Sequence, residues 1–249
     1  MKAMDVQLID YTGYGTPDPA RHAANVLVFT KNTRLEMKAG LLAEIESWPD
    51  ERIVDELTYM ANTIPSSWEF VNYTFLITDV TRAFTHQFVR TRTGSYAQQT
   101  MRVLNVGGWT YGTGPTVNEG ELGAAYESAM IEIARTYDWL IENGAKIEDA
   151  RGVLPTNIHT NIVAKFDLRT LADTARKRAS SRTQGEYRDV MDAMLAEVKR
   201  VHPWTHLFFG RTFDRSAKEL EAEIIELCGS DQETRIRLIK LIDQMRGTA

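Results

Sequence analysis

The chain has 249 residues, 43% of them hydrophobic and 25% charged, which is the composition of a globular protein with a sizeable core. Its formal net charge of −5 argues against a general nucleic-acid binder, so any binding of anions must be local. The one cysteine, Cys228, excludes an intramolecular disulfide and a cysteine cluster for a metal. Neither a signal-peptide core nor a long apolar run is present, so we expect no membrane segment and a cytoplasmic location, in a host cell if a virus encodes the chain.

Hydrophobic spacing in the first third of the chain predicts two helices followed by a strand. The helices should cover residues 31–48 and 51–61, with Pro49 between them. Apolar and polar side chains then alternate over residues 72–78, which is the period of a half-buried strand.

A short helix should follow this strand. Thr81 has the side chain of an N-cap, and Phe84 and Phe88 are four residues apart, so they should form one apolar stripe. Gly94 should end the helix. Residues 95–100 then form an extended or looped run of hydrogen-bonding side chains, which suits the recognition of a polar heterocycle.

The middle of the chain contains a glycine-rich loop and a long helix. The loop, residues 107–115, lacks the phosphate-binding glycine patterns, so it should be a mobile lid or a plain connection. Thr116 and Glu119 form a capping box, which should open a helix that continues to Leu140. Gly144 should close that helix.

The last third of the chain should contain a second strand and further helices. Side chains alternate over residues 158–166, and a helix should begin near Asp167. Thr183 and Glu186 form another capping box, for a helix that runs to His202.

No repeat, low-complexity tract or flexible linker divides the chain. We therefore expect one domain over residues 1–210 and a C-terminal helical extension over residues 211–249.

The segment between Asp79 and Glu119 contains no carboxylate, although the whole chain is acidic. Its four arginines are Arg82, Arg90, Arg92 and Arg102. Arginines without a local counter-ion typically bind an anionic ligand such as phosphate. A single helical arginine is most often a solvated surface charge. A second basic group, from Arg169 to Arg182, makes that explanation weaker for the two groups taken together.

Motifs for covalent or zinc catalysis are missing from the sequence. It contains no serine-hydrolase elbow, no HExxH motif and no Cys/His pair, and its five histidines lack metal-ligand spacing. We therefore expect no metal site. If the protein is an enzyme, a cofactor should supply its reactivity.

A run of short motifs resembles the flavin-dependent thymidylate synthases, whose hallmark is Arg-His-Arg, seven residues, Ser, and soon afterwards Arg. The corresponding positions here are Arg90, Thr91, Arg92, Thr100 and Arg102. Other stretches similar to the family are Thr81–Gln87, Ser95–Gln99, Arg151–Pro155, Asp167–Arg169 and Lys177–Glu186. The resemblance covers roughly residues 5–205.

This resemblance implies an α+β fold, with an antiparallel sheet and long helices, and a homotetramer with active sites between subunits. It also implies transfer of a one-carbon unit from methylene-tetrahydrofolate to C5 of dUMP, with FAD as cofactor and NADPH as reductant, to make dTMP. Two alternatives stay open: a related pyrimidine nucleotide hydroxymethylase, and a non-catalytic nucleotide-binding paralogue.

The resemblance also implies roles for individual residues. Those expected around dUMP are Gln87, Gln98, Thr100, Met101, Arg102, Arg151 and Arg178. Arg178 is the catalytic residue of this set, placed at the pyrimidine ring. Those expected at FAD are Arg90, Thr91, Arg92, Asp167 and Arg169.

At several positions the chain departs from the family pattern. Thr91 and Phe70 replace histidines, Asp167 replaces an asparagine, Val103 a tyrosine, and Gly185 a tryptophan. The two lost histidines remove ring donors and stacking surfaces where the family holds flavin and folate, whereas the nucleotide-binding arginines remain.

Overall fold

The computed structural model describes residues 4–178, 183–209, 212–229 and 231–246. The chain divides into two compact units. The first consists of Met1–Gln7 and Phe75–Lys165, and the second of Leu8–Thr74 and Phe166–Ala249. The expectation of a domain over residues 1–210 with a helical extension after it stays a prediction, and residues 210 and 211, at that boundary, lie outside the described residues.

One sheet has four strands in the order β1-β2-β4-β3. The strands are β1 (Asp5–Tyr11), β2 (Asn72–Thr81), β3 (Ser95–Gln98) and β4 (His159–Asp167). β3 pairs antiparallel with β4, so that Ser95 lies opposite Lys165 and Gln98 lies opposite Ile162. The predicted α+β class with an antiparallel sheet is confirmed.

Eleven α-helices lie within the described ranges. In chain order they are α1 (Pro19–Asn32), α2 (Leu41–Glu46), α3 (Asp50–Thr63), α4 (Arg82–Phe88), α5 (Gly120–Glu142), α6 (Ile147–Ala150), α7 (Leu168–Arg178), α8 (Gly185–Val201), α9 (His206–Phe209), α10 (Thr212–Cys228) and α11 (Gln232–Arg246). Short 3-10 helices cover Pro65–Phe70, Arg151–Val153 and Pro203–Thr205. Within those ranges, no helix has both the length and the apolar character that crossing a membrane requires.

The two central strands follow their predicted alternation. In β2 the side chains of Tyr73, Phe75 and Ile77 are fully buried, while their neighbours along the strand are half-buried. In β4, Ile162 and Phe166 are buried in the same way. Because period-two burial fixes which face of a strand points to the core, both predicted strands are confirmed.

The prediction of a helix after β2 is confirmed at its start and wrong at its end. The Thr81 side chain accepts a hydrogen bond from the Phe84 amide at 3.1 Å, as an N-cap does. Phe84 and Phe88 are buried and stack with ring centroids 4.8 Å apart. α4 ends at Phe88, however, and hydrogen-bonded turns rather than a helix lead on to Gly94.

A single helix over residues 31–48 is wrong. α1 begins earlier, with Pro19 at its first position and the Asp18 side chain accepting a hydrogen bond from the Arg21 amide, and it ends at Asn32. α2 starts only after Gly40, whose φ of +79° interrupts any continuous helix. The second predicted helix is confirmed as α3.

Neither predicted capping box forms. α5 begins after Glu119, which makes no side-chain capping bond, and Gly120 enters the helix with a φ of +62°. α8 begins at Gly185, and its N-cap, Gln184, also makes no such bond. The predicted ends of both helices are confirmed, because Gly144 has a positive φ just after α5 and α8 stops at Val201, just before Pro203.

A buried histidine joins three segments of the second unit. Because the carbonyl oxygen of Thr12 can only accept, His202 Nε2 donates to it at 3.1 Å. His202 Nδ1 therefore accepts from the Tyr73 hydroxyl at 2.9 Å. Burial lowers the pKa of His202 to about 4, so the ring is neutral at pH 7.

Candidate functional site

The arginine-rich turn after α4 is held by its backbone. The hydroxyl of Tyr96, on β3, lies 2.8 Å from the carbonyl oxygen of Thr91 and 3.1 Å from that of Phe88. The Tyr96 ring also packs edge-on against Phe88, with centroids 5.5 Å apart. This tether fixes the turn that exposes Arg90 and Arg92, while the Thr91 side chain is half-buried.

Gln98 is oriented by the elements on either side of it. It lies on β3, half-buried, and its amide nitrogen donates to Thr85 Oγ1 at 2.9 Å and lies 3.5 Å from Thr160 Oγ1. Thr85 belongs to α4, which also carries the half-buried Gln87. α4 and β4 therefore fix the rotamer of a side chain expected at the nucleotide.

The loop after β3 lines a cavity of about 350 Å³ in the first unit, near the lower end of the range of roughly 300–1,000 Å³ for ligand sites. Thr100 and Met101 are part of its wall. The Asn161 side chain, also in the wall, accepts from the Asp79 amide and donates to the Gln99 side chain, each at 3.1 Å. Polar groups on a rigid strand end thus border the cavity.

The exposed side chain of Arg102 follows this wall directly. Its backbone amide donates to Thr100 Oγ1 at 3.1 Å, which tightens the loop at that point. Two residues expected at dUMP are therefore coupled through one short turn.

Arg82 is a half-buried arginine that the positive charge of Arg151 affects. One terminal nitrogen of Arg82 donates to the Gln99 carbonyl at 2.8 Å, whereas Arg82 Nε is buried without a hydrogen-bond partner among the described residues. Burial lowers the pKa of Arg82, and the positive charge of Arg151 lowers it further. Arg151 Nε donates to the Glu148 carbonyl at 3.2 Å. Two positive charges that repel each other and an unsatisfied buried donor suit an anionic ligand such as a phosphate.

In the second unit, Arg178 borders a separate cavity of about 250 Å³. Its guanidinium carbon lies 4.6 Å from the centroid of the Tyr187 ring, which is a cation–π contact. Arg176, Arg188 and Asp192 also line this cavity, so its charged groups are mostly positive.

Asp167 and Arg169 have structural partners within the second unit. The Asp167 carboxylate caps α7, accepting from the Thr170 amide at 2.7 Å and from the Thr170 hydroxyl at 3.0 Å. Arg169 pairs with Glu69 at 2.7 Å, and both side chains are about half exposed. An exposed pair of this kind contributes little to stability, so Arg169 can exchange Glu69 for an anionic ligand.

The expected site residues thus divide between the two units. In the first unit are Gln87, Arg90, Thr91, Arg92, Gln98, Thr100, Met101, Arg102 and Arg151. In the second unit are Asp167, Arg169 and Arg178.

The sequence placed Arg82 in the segment between Asp79 and Glu119, which we call the basic segment and where an anionic ligand is expected, but the family resemblance gave Arg82 no role of its own. Its partner Arg151 is remote in the chain, so no local motif joins the two residues. The sequence signal for Arg82 was the lack of any carboxylate between Asp79 and Glu119.

The glycine-rich loop borders a cavity of about 590 Å³ whose wall includes Trp109, Tyr111 and Tyr126. Gly112, in the same loop, is tightly packed, because a Cβ at this position would come within 2.7 Å of Thr81 Cγ2. Its amide donates to the Asn157 carbonyl at 2.9 Å. From the sequence we expected this loop to be only a lid or a connection. Its aromatic residues Trp109 and Tyr111 were the feature that could have indicated the cavity.

Comparison with known proteins identifies relatives over most of the chain. A family model described as "Thymidylate synthase complementing protein" matches residues 7–204. A protein named flavin-dependent thymidylate synthase from Sulfurisphaera tokodaii is 33% identical over 209 residues, covering 83% of this chain and 78% of the relative. Another of the same name, from Saccharolobus solfataricus, is 33% identical over 201 residues, covering 80% and 74%.

A solved structure shares the fold. It is a UMP/dUMP methylase, PolB from Streptomyces cacaoi, bound with 5-Br dUMP. Its TM-score is 0.69 at 20% sequence identity, and the match covers 83% of this chain and 94% of that chain. The family match, the two relatives and the arginine-rich geometry agree, and the chain belongs to the thymidylate synthase complementing protein family, that of the flavin-dependent thymidylate synthases.

Proposed function

We propose that this protein is a flavin-dependent methyltransferase that converts dUMP to dTMP. The observation that carries the proposal is Arg82, whose buried Nε has no hydrogen-bond partner among the described residues and whose pKa is lowered by burial and by the positive charge of Arg151. Such an arginine is costly without an anion and favourable with a nucleotide phosphate. Membership of the family and the names of the relatives support the same substrate class.

The nucleotide would be held by residues that already have fixed positions. Arg102 and Arg151 would bind the phosphate through charge-assisted hydrogen bonds, with Thr100 and Met101 in the adjoining wall. Gln87 and Gln98, whose side chains are half-buried, would bind the base or sugar. Arg178 would contact the pyrimidine ring and stabilise negative charge that develops there, because a guanidinium fixed against Tyr187 needs no reorganisation.

FAD is the proposed cofactor, with methylene-tetrahydrofolate and NADPH as co-substrates. The chemistry that a reduced flavin supplies when bound is hydride transfer and carriage of the one-carbon unit, which is why the chain needs no covalent nucleophile. Arg90 and Arg92 would bind its phosphates from the turn tethered by Tyr96, beside Thr91. Arg169 and Asp167 would complete the flavin site from the start of α7.

Assembly as a homotetramer with active sites between subunits is part of this proposal, as is a cytoplasmic location.

Transfer of a hydroxymethyl group to the pyrimidine nucleotide is the second candidate function. Thr91 and the exposed Phe70 stand where the family has histidines, so ring donors are missing beside the proposed flavin and folate positions.

The test is identification of the product by mass spectrometry. The purified protein is incubated with dUMP, methylene-tetrahydrofolate, NADPH and FAD, alongside Arg151→Ala and the surface control Arg135→Ala. dTMP from the unsubstituted protein and from Arg135→Ala supports the proposal. A hydroxymethylated nucleotide supports the second candidate, and bound nucleotide without turnover indicates a non-catalytic paralogue.

A further inference from the structure

The C-terminal helices α10 and α11 form an antiparallel hairpin that follows the stretch matched by the family, residues 7–204. Ile224 and Ile242 are buried against each other's helices, and Cys228, Leu238 and Ile239 pack around them. This cluster is small, so the hairpin gains little stability from its own core.

Five large apolar side chains are exposed on the described part of the hairpin: Ile225 and Ile236 lie on one side of it, and three leucines lie on the other. Leu220, Leu227 and Leu241 are 47%, 83% and 48% exposed. Leu220 and Leu227 are seven residues apart and form one stripe beside the buried Ile224. Viewed along each helix, Leu220 and Leu227 are rotated away from the buried Ile224 in one direction, and Leu241 is rotated away from the buried Ile242 in that same direction. Because the two helices are antiparallel, all three leucines lie on one side of the hairpin. We call this side the leucine face.

Opposite charges flank the leucine face on the two helices. Between Leu220 and Cys228, α10 has only acidic charged residues, whereas α11 has a basic excess between Gln232 and Ile242. Glu223, exposed, lies between Leu220 and Leu227, and Arg237, also exposed, lies one turn before Leu241. Glu223 is five residues before the end of α10 and Arg237 five residues after the start of α11, so they lie at equal distances from the connecting turn.

An acidic helix joined to a basic helix is complementary to a second copy of itself. We propose that the leucine face packs on the leucine face of another copy of this chain, about a two-fold axis parallel to the hairpin, to form a four-helix bundle. A two-fold rotation about an axis parallel to the helices does not change the position of any residue along that axis. It places α10 of one copy beside α11 of the other, so Glu223 of each copy lies opposite Arg237 of the other. The apolar face is covered, and two ion pairs set the register.

Site-specific cross-linking tests this arrangement in the full chain. Because Cys228 is the chain's one cysteine, Cys228→Ala gives a background in which every disulfide must come from introduced residues. Glu223→Cys and Arg237→Cys chains, each in this background and with different tags, are co-expressed and oxidised. The expected result is a covalent dimer carrying both tags, lost on reduction, with far less dimer when either variant is expressed alone.

A matched control uses Ile236→Cys in place of Arg237→Cys, because Ile236 is exposed, lies at almost the same height as Arg237 and points away from the leucine face, about 140° round α11 from Leu241. Equal yields from the two pairs, or no mixed dimer from Glu223→Cys with Arg237→Cys, would overturn the proposal. Exchange of the two charges tests the same contact without introducing cysteines. Glu223→Arg and Arg237→Glu should each weaken association in sedimentation equilibrium, and the double variant should restore it; a double variant as weak as the single ones would also overturn it.

Discussion

The guanidinium groups of Arg82 and Arg151 lie close enough for the charge of Arg151 to lower the pKa of Arg82, in addition to the larger effect of burial. The sequence between Asp79 and Glu119 contains no carboxylate that could offset the repulsion between these two arginines. The free protein therefore carries an electrostatic cost, which a phosphate bound at Arg82 would lower.

Loss of one member of this pair should weaken nucleotide binding. Arg151→Ala should reduce dUMP affinity by about 2–4 kcal/mol, because a charge-assisted contact to the phosphate is lost. Isothermal titration calorimetry measures the change, and circular dichroism checks the fold. Arg135→Ala, which removes an exposed arginine of α5, is the control and should bind dUMP normally. Equal affinity in the two variants would contradict a phosphate role for Arg151.

Replacement of the threonine in the arginine turn should strengthen flavin binding. Thr91→His adds a ring donor and leaves the backbone carbonyl that contacts Tyr96, so FAD affinity should rise by about 0.5–1.5 kcal/mol. Fluorescence titration of FAD measures this, with Thr93→His, on the exposed neighbour, as control. Unchanged affinity with an altered product ratio would mean that the position tunes chemistry, and weaker binding would place the flavin phosphates elsewhere.

Dilution should release flavin and activity together if sites are shared between subunits, because subunit association then contributes to cofactor affinity. Light scattering, flavin fluorescence and turnover are followed over one dilution series. A monomer that retains both FAD and full activity would exclude shared sites.

The buried His202 should make stability depend on pH. Its pKa is about 4 in the folded protein and 6.5 in an unperturbed chain, so the unfolded state binds the proton more readily. The contribution of the neutral ring is complete above pH 6.5 and is lost as the pH falls towards 4, with a total of roughly 3 kcal/mol. In urea unfolding, the free energy of unfolding of the unsubstituted protein should therefore fall more steeply between pH 6.5 and pH 4 than that of His202→Gln. The exposed His206, replaced by Gln, is the control and should retain the slope.

A methyl group at Gly112 should destabilise the first unit. The new Cβ of Gly112→Ala would lie 2.7 Å from Thr81 Cγ2, and moving Thr81 disturbs the capping bond of α4, so a loss of about 1–3 kcal/mol is expected. Gly114→Ala has open space around its Cβ and should change the unfolding free energy by no more than about 0.5 kcal/mol. Equal effects would show that the loop adapts freely.

Local periodicity was enough for the elements whose burial pattern is regular. The alternation in β2 and β4 and the cap at Thr81 depend on neighbours within a few residues, so the sequence predicted them. The helix over residues 31–48 failed at Gly40, because the apolar spacing continues through a glycine that adopts a positive φ. The two capping boxes failed because a four-residue pattern does not determine where the backbone enters a helix.

The candidate site was predictable as a set of residue types but not as a geometry. The basic segment was visible in the composition of residues 80–118, and the resemblance to the family gave its arginines roles. The approach of Arg151 to Arg82 and the orientation of Gln98 by Thr85 depend on tertiary packing, which no local window contains.

The Tyr96 tether separates the shape of the arginine turn from the identity of its central side chain. Its hydroxyl contacts main-chain oxygens of Phe88 and Thr91, so the bonds survive any substitution that keeps the backbone path. Evolution could therefore exchange the family's histidine for threonine without moving the two flanking arginines. In this chain the conformation of the arginine turn is therefore stabilised from a neighbouring strand, and it does not depend on which side chain stands at position 91.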